Sequence, residues 1–326
     1  MPFLPEPWIA DKQARKRLKI EAIMRFRKLG LVFRPDGERT WCRNFAIAPT
    51  PLLRGDRLRV YFSSCDEALI GRVGYVELDA RDPTRVTFIN DTPVLSEGAA
   101  GCFDDNGVNV TSIVPVGREL WLYYFGYQLH QRTRYSLFGG LAVSTDDGES
   151  FVRVRETPII DRSSGERFVR SAPFVRHDEH GFRMWYVSGN EWIDVNGKAL
   201  PLYGVSYLES QDGVHWPASG KPLMSPVGED EHGFGRPFVV SRPEGFRLWY
   251  SLRSRSRGYR IGMAESPDGI SWTRLDDRVG LDVSPQGWDS EMVCYASEIA
   301  LEGRTCLLYN GNGYGRDGFG IAIREA

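Results

Sequence analysis

Ser266-Pro267-Asp268-Gly269-Ile270-Ser271-Trp272, with the short apolar run at 261–265 before it, is the stretch whose reading decides the fold. The phrase returns as Ser210-Gln211-Asp212-Gly213-Val214-His215-Trp216, and in longer form as Ser144-Thr145-Asp146-Asp147-Gly148-Glu149-Ser150-Phe151. Each copy follows a small-residue strand: GGLAVS, GVSYLES or IGMAES. An Asp-Gly pair reverses the chain because Gly accepts a positive φ and Asp hydrogen-bonds its neighbouring backbone. The aromatic that follows pins the turn to a sheet. One hairpin stamped three times at wide, similar spacing predicts a repeat architecture.

A second periodic mark sets the size of the repeat. A Gly-centred turn precedes an aromatic strand five times, at Gly55 (RLRVYF), Gly117 (RELWLYY), Gly181 (FRMWY), Gly245 (FRLWY) and Gly303 (RTCLLY), at intervals of 62, 64, 64 and 58 residues. An apolar strand comes before each turn, and a Gly-rich third strand and a fourth strand come after it. The pattern predicts an all-β chain, a five-bladed β-propeller with four-stranded antiparallel blades. The fifth unit ends after its third strand, so residues 30–33 (GLVF) are expected to close the last blade from the other terminus. Helix-forming, basic residues over 11–29 predict a short N-terminal helix. The domain reading is therefore an extension at 1–29 and a propeller at 30–326.

Composition narrows the partners. A formal net charge of -2 gives no drive towards nucleic acid, and no apolar run approaches the length of a membrane span. The five scattered cysteines lack paired metal-ligand spacing and read as reduced thiols of a cytoplasmic protein. No HExxH spacing supports a metal, and neither a Gly-rich phosphate loop nor a serine nucleophile elbow implies a cofactor or acyl chemistry. His130 and His232 are the two histidines expected near the functional face. A small or neutral partner is the expectation.

Propeller geometry puts the start of each first strand and the connection between second and third strands on one face. That face collects 63–72, 126–138, 188–203, 252–260 and 310–317, and the Asp-Gly turns fall opposite. Charged and aromatic loops on a rigid scaffold are where function is normally carried. The lead-ins to the first strands carry acids: Asp104 and Asp105, Glu229 to Glu231, Asp289 and Glu291. Carboxylates gathered at an axial funnel raise one another's pKa, giving a proton donor beside an ionised partner, as glycosidic cleavage requires. Asp105 and Glu291 are the favoured catalytic pair, with Asp104 and Asp289 as substitutes; each can equally cap a turn. Arg43, Asn44, Arg170 and Arg236 at first-strand starts, with Tyr127, Glu191, Trp288 and Tyr295, are the candidate substrate-binding residues. The arginines suit carboxylate, phosphate or hydroxyl recognition, or ion pairing with the acids. The dense run Arg253, Arg255 and Arg257 reads as a solvated rim.

The repeated SxDGxxW hairpins and acid-bearing first strands resemble the five-bladed glycoside hydrolase superfamily, which spans arabinanase and xylosidase-like, invertase-like and mannoside-phosphorylase-like enzymes. The resemblance covers roughly residues 30–326 and implies cleavage of a glycosidic bond in a small soluble substrate. The first-blade aspartate of the arabinanase-like members should fall near WCRNFAIAP, where this chain has Arg43 and Asn44. Phosphorolysis, and sugar or sugar-nucleotide binding without turnover, stand as the alternatives.

Overall fold

The structure, a computed structural model, describes residues 23–195 and 197–325. It is all-β, with twenty strands among the described residues. The first sheet pairs in chain order β2 (Asn44–Arg54), β3 (Arg57–Cys65), β4 (Gly71–Asp79) and β5 (Val86–Ile89), all antiparallel, as β1 (Phe26–Phe33) lies elsewhere. The second set is β6 (Val108–Val116), β7 (Glu119–Leu129), β8 (Tyr135–Ser144) and β9 (Val152–Arg153). The third is β10 (Val169–Asp178), β11 (Gly181–Val195), β12 (Lys198–Ser210) and β13 (Lys221–Met224). A two-residue parallel pairing of β8 with β10 joins these two sets into one eight-stranded sheet. Next come β14 (Glu231–Arg242), β15 (Gly245–Ser254), β16 (Arg260–Ser266) and β17 (Thr273–Arg274). The last sheet holds β18 (Cys294–Leu301), β19 (Arg304–Asn310) and β20 (Phe319–Arg324).

Its fourth strand is β1, antiparallel to β20 with Phe26 opposite Arg324 and Phe33 opposite Phe319. The expected closure from the N-terminal side is therefore present and begins earlier in the chain than residue 30. The helix expected over 11–29 falls mostly outside the described residues. Where it can be compared, at 26–29, the backbone is strand, because pairing with β20 satisfies its N–H and C=O groups.

The first strands of the units touch in cyclic order: β2 with β6, β6 with β10, β10 with β14, β14 with β18, and β18 with β2. Each carries a register shift near its middle, as at Ile47/Thr50, Ser171/Phe174, Gly235/Phe238 and Cys294/Ser297. Ala48, Ala172, Arg236 and Tyr295 take positive φ there (58°, 50°, 45° and 53°). Non-glycine residues enter that region at a cost, so neighbouring strands must hold them in it. Hydrogen bonds between first strands do so: the Thr111 hydroxyl donates to the Pro173 carbonyl (2.7 Å), and the Ser297 hydroxyl to the Pro49 carbonyl (2.6 Å).

The Asp-Gly turns are built alike and lock neighbouring units. Asp268 Oδ1 accepts from the Ser266 hydroxyl and from the Ile270 and Ser271 amides, and Trp272 Nε1 donates to the Gly269 carbonyl. That carbonyl also accepts from Trp185 Nε1 of the preceding unit (2.7 Å). Tyr123 does the same to Gly213, and Tyr61 to Gly148. The last unit lacks the turn, and Trp249 donates to the Glu298 carboxylate there instead (2.8 Å). The core lies between sheets, where Trp185, Trp249, Tyr61 and Tyr123 are fully buried. All five cysteines are free thiols, and among the described residues no helix is long and apolar enough to cross a membrane.

Candidate functional site

The acids of the lead-ins divide into two kinds. Asp104 is fully enclosed, and its Oδ2 accepts from Arg153 on β9 (2.8 Å) and from the Tyr124 hydroxyl on β7 (3.1 Å). Asp289 is enclosed in the same way by Lys28 on β1 (2.7 Å) and Tyr309 on β19 (3.0 Å). Glu166 with Arg170 and Tyr186, and Asp276 with Arg274 and Tyr250, repeat the arrangement in the third and fourth units. The four tyrosines occupy one equivalent position on their second strands. Burial first, then the adjacent carboxylate, pushes each phenol up, so it stays a neutral donor. The first unit substitutes an apolar pair, Trp41 stacked on Phe62 at 5.8 Å. The glycines of the third strands make room: a Cβ at Gly140 would sit 2.3 Å from the Tyr124 ring, and one at Gly74 would sit 1.9 Å from Trp41. Asp104 and Asp289 are thus held in cation–tyrosine sockets. These buried acids were legible in the sequence; their partners, 20 to 261 residues away, were not.

Arg170 and Arg236 are similarly committed. Arg170 pairs with Glu166 and donates to the Asp161 and Pro217 carbonyls. Arg236 donates to the Tyr295, Ala296, Ala48 and Pro49 carbonyls and to the Thr50 hydroxyl, so it ties β14 to β18 and β2. With no carboxylate paired to it among the described residues, burial pulls its pKa down to about 9. Arg43 lies exposed at the rim with Glu67 (2.6 Å), and the Asn44 amide donates to the Asp66 carbonyl. Trp288 packs on Tyr309.

The segments expected on one face do converge, around tyrosines. Tyr127 meets Tyr135 (5.9 Å between centroids), Tyr135 meets Trp192 (5.7 Å), and the Tyr135 and Tyr203 hydroxyls lie 3.3 Å apart. Tyr259 meets Tyr295 (6.3 Å) and Tyr314 (5.0 Å). Arg253 joins the two groups, with its guanidinium carbon 4.4 Å from the Tyr203 ring and 5.8 Å from the Tyr259 ring. Four units thus supply one aromatic mouth. Arg253 is only 4% exposed, which corrects the reading of it as solvated rim. Arg253 lies within β15, between the tyrosines, whereas Arg255 follows the strand's last residue, Ser254, and is exposed. Tyr135 and Tyr203 were not singled out in the sequence, where nothing separates them from packing residues. Burial, reinforced by neighbouring phenols, keeps Tyr203 and Tyr295 protonated. The mouth therefore offers flat faces, neutral hydroxyl donors and one enclosed cation, a set suited to a polyhydroxylated ring.

The segments that carry Asp105 and Glu291 run beside this mouth. Asp105 is half-buried, with Oδ2 accepting from the Gly101 amide (2.9 Å), while Asn106 and Gly107 beside it exchange backbone hydrogen bonds with Tyr127. Glu291 is exposed; its amide donates to Asn312 Oδ1, and Val293 beside it donates to the Tyr259 carbonyl. Neither carboxylate is ion-paired among the described residues. Glu191 is exposed next to Trp192. His232 is buried against Arg253; desolvation and that cation lower it to about 4. Among the described residues no group of three or more His, Cys, Asp or Glu is placed to hold a metal ion.

No protein-family model matches the chain. It is 37% identical over 303 residues to the uncharacterized protein Rv1502 of Mycobacterium tuberculosis, covering 93% of this chain and 100% of that protein. Among solved structures, a glycoside hydrolase superposes with a TM-score of 0.74 at 18% identity, over 94% of this chain and 93% of that one. A structure described with the GH130 family of mannoside phosphorylases, which contains glycoside hydrolases targeting β-1,2 mannosidic linkages, gives 0.68 at 16% over 94% and 95%. An endo-arabinase from Bacteroides thetaiotaomicron gives 0.62 at 10% over 91% and 98%. The chain has the fold of these propeller-type glycoside hydrolases.

Proposed function

We propose that this chain, which belongs to the family of the Mycobacterium tuberculosis protein Rv1502, is a carbohydrate-active enzyme on a five-bladed propeller that cleaves a glycosidic bond in a small saccharide. The observation that carries the reading is the tyrosine mouth with the segments of Asp105 and Glu291 beside it, both carboxylates clear of the cation pairs that hold Asp104 and Asp289. The glycoside hydrolase names of the structures sharing the fold support it. Tyr127, Tyr135 and Tyr259 stack on and hydrogen-bond the sugar, and Arg253 orients it. One carboxyl group protonates the leaving oxygen while the other activates water or attacks the anomeric carbon.

A screen of aryl glycosides, run with and without inorganic phosphate, tests the reaction. On a substrate the parent cleaves, Asp105→Asn and Glu291→Gln should each lower kcat by roughly 10²-fold or more. Full activity in both variants removes them as the acid–base pair. Product that appears only with phosphate assigns phosphorolysis. Saccharide binding without turnover is the second reading, favoured by the commitment of Asp104 and Asp289 to structural pairs.

A further inference from the structure

Beside the mouth lies a cavity of about 370 Å³ lined by His130, Arg132, Tyr135, Ser136, Arg162 and Arg167, together with Gln131, Thr133 and Phe168. It is formed where the β7–β8 connection faces the segment entering β10. Three arginines and a histidine line it, and among the described residues no carboxylate does. Ordinary protein surface intersperses the two signs, so an arginine-lined concavity without an acid is unusual. One lining arginine has an acid partner: Asp161 approaches Arg162 Nε at 3.7 Å with both side chains more than half exposed, a pairing that water screens. Aromatic rings steady two guanidinium groups without consuming their donors: Arg162 lies 4.8 Å over the Phe138 ring, and Arg167 lies 5.4 Å over Phe168. The Arg132 guanidinium has no hydrogen bond or ion pair among the described residues. His130 Nε2 and the Ser136 hydroxyl, 2.7 Å apart, add a polar pair on the wall. Planar N–H forks held near one another, with hydroxyls beside them, match an oxyanion.

We propose that this cavity binds an oxyanion substituent (phosphate, sulfate or carboxylate) carried by the saccharide whose ring occupies the tyrosine mouth. Tyr135 lines the cavity and belongs to the mouth, so one ligand reaches both. The substrate class is then an acidic or phosphorylated sugar, which extends and rests on the carbohydrate reading above.

Calorimetric titration at fixed ionic strength tests the cavity first with inorganic phosphate and sulfate, which require no sugar site. The parent should bind them, and Arg132→Gln/Arg167→Gln should weaken binding tenfold or more; both arginines are exposed, so the fold tolerates the change. Absence of anion binding, or equal binding by the double variant, overturns the cavity assignment whether or not any glycoside is cleaved. Glucose 6-phosphate and glucuronate are titrated next against glucose. At least one charged sugar should bind tenfold tighter than both glucose and the matching free anion, and Tyr127→Ala should lower only the sugar-borne affinity. Charged sugars that bind no better than inorganic phosphate, or that are indifferent to Tyr127→Ala, overturn the link between cavity and mouth.

Discussion

At the scale of single residues, Asp104 and Asp105 are adjacent in sequence and opposite in fate. Asp104 accepts from Arg153 and Tyr124 inside the sheet, whereas Asp105 is half-buried and accepts from the Gly101 amide of its own loop. Removing one member of a buried charge pair leaves the other desolvated and uncompensated. Asp104→Asn is expected to destabilise the fold by about 3 kcal/mol, read as a lowered urea midpoint, because Arg153 loses its carboxylate. Asp105→Asn should leave that midpoint nearly unchanged; similar losses in both would contradict the division of roles. The sequence ranked Asp105 above Asp104 as a candidate acid but did not show which is buried, since that depends on Arg153 and Tyr124, set 49 and 20 positions away. Arg253 shows the same limit: its run of alternating arginines looks solvated until Tyr203 and Tyr259 close around it.

Among elements, the Asp-Gly hairpin is the most self-contained. The Asp268 carboxylate accepts from a hydroxyl and two amides within three residues, so the motif was legible from local chemistry alone. Partial burial would raise its pKa, but the Ser271 and Ile270 amides prevail and hold it at about 2, below the ordinary 3.8. A carboxyl depressed on folding stabilises the protein above its unfolded value, and that contribution disappears as pH falls through about 2. Asp268→Ala should cost about 1–2 kcal/mol near neutral pH, from lost hydrogen bonds. The difference from the parent, followed by chemical denaturation, should shrink as acid protonates the parent's Asp268. A constant difference down to the lowest accessible pH would place the effect elsewhere. The carbonyl of Gly269, which accepts from Trp185 one unit away, was not legible, because it depends on how sheets stack.

For the whole molecule, closure through β1 is the controlling feature. The strand covers the edge of β20 and supplies Lys28 to the buried Asp289. A chain beginning at residue 34 exposes that edge and strands a buried carboxylate, two faults that promote association. Size-exclusion chromatography should find it aggregated or unfolded, while a chain beginning at residue 23 stays monodisperse and folded like the parent; a well-behaved chain starting at 34 would show that β1 is dispensable. Sequence alone determined the repeat, the four-strand unit and the closing segment, since alternation, turn chemistry and spacing are local and recur with the chain. Only tertiary structure decided which acids face solvent, which arginines are struts and where tyrosines from four units meet. Those outcomes depend on side chains far apart in sequence, whose desolvation and pairing no single stretch encodes.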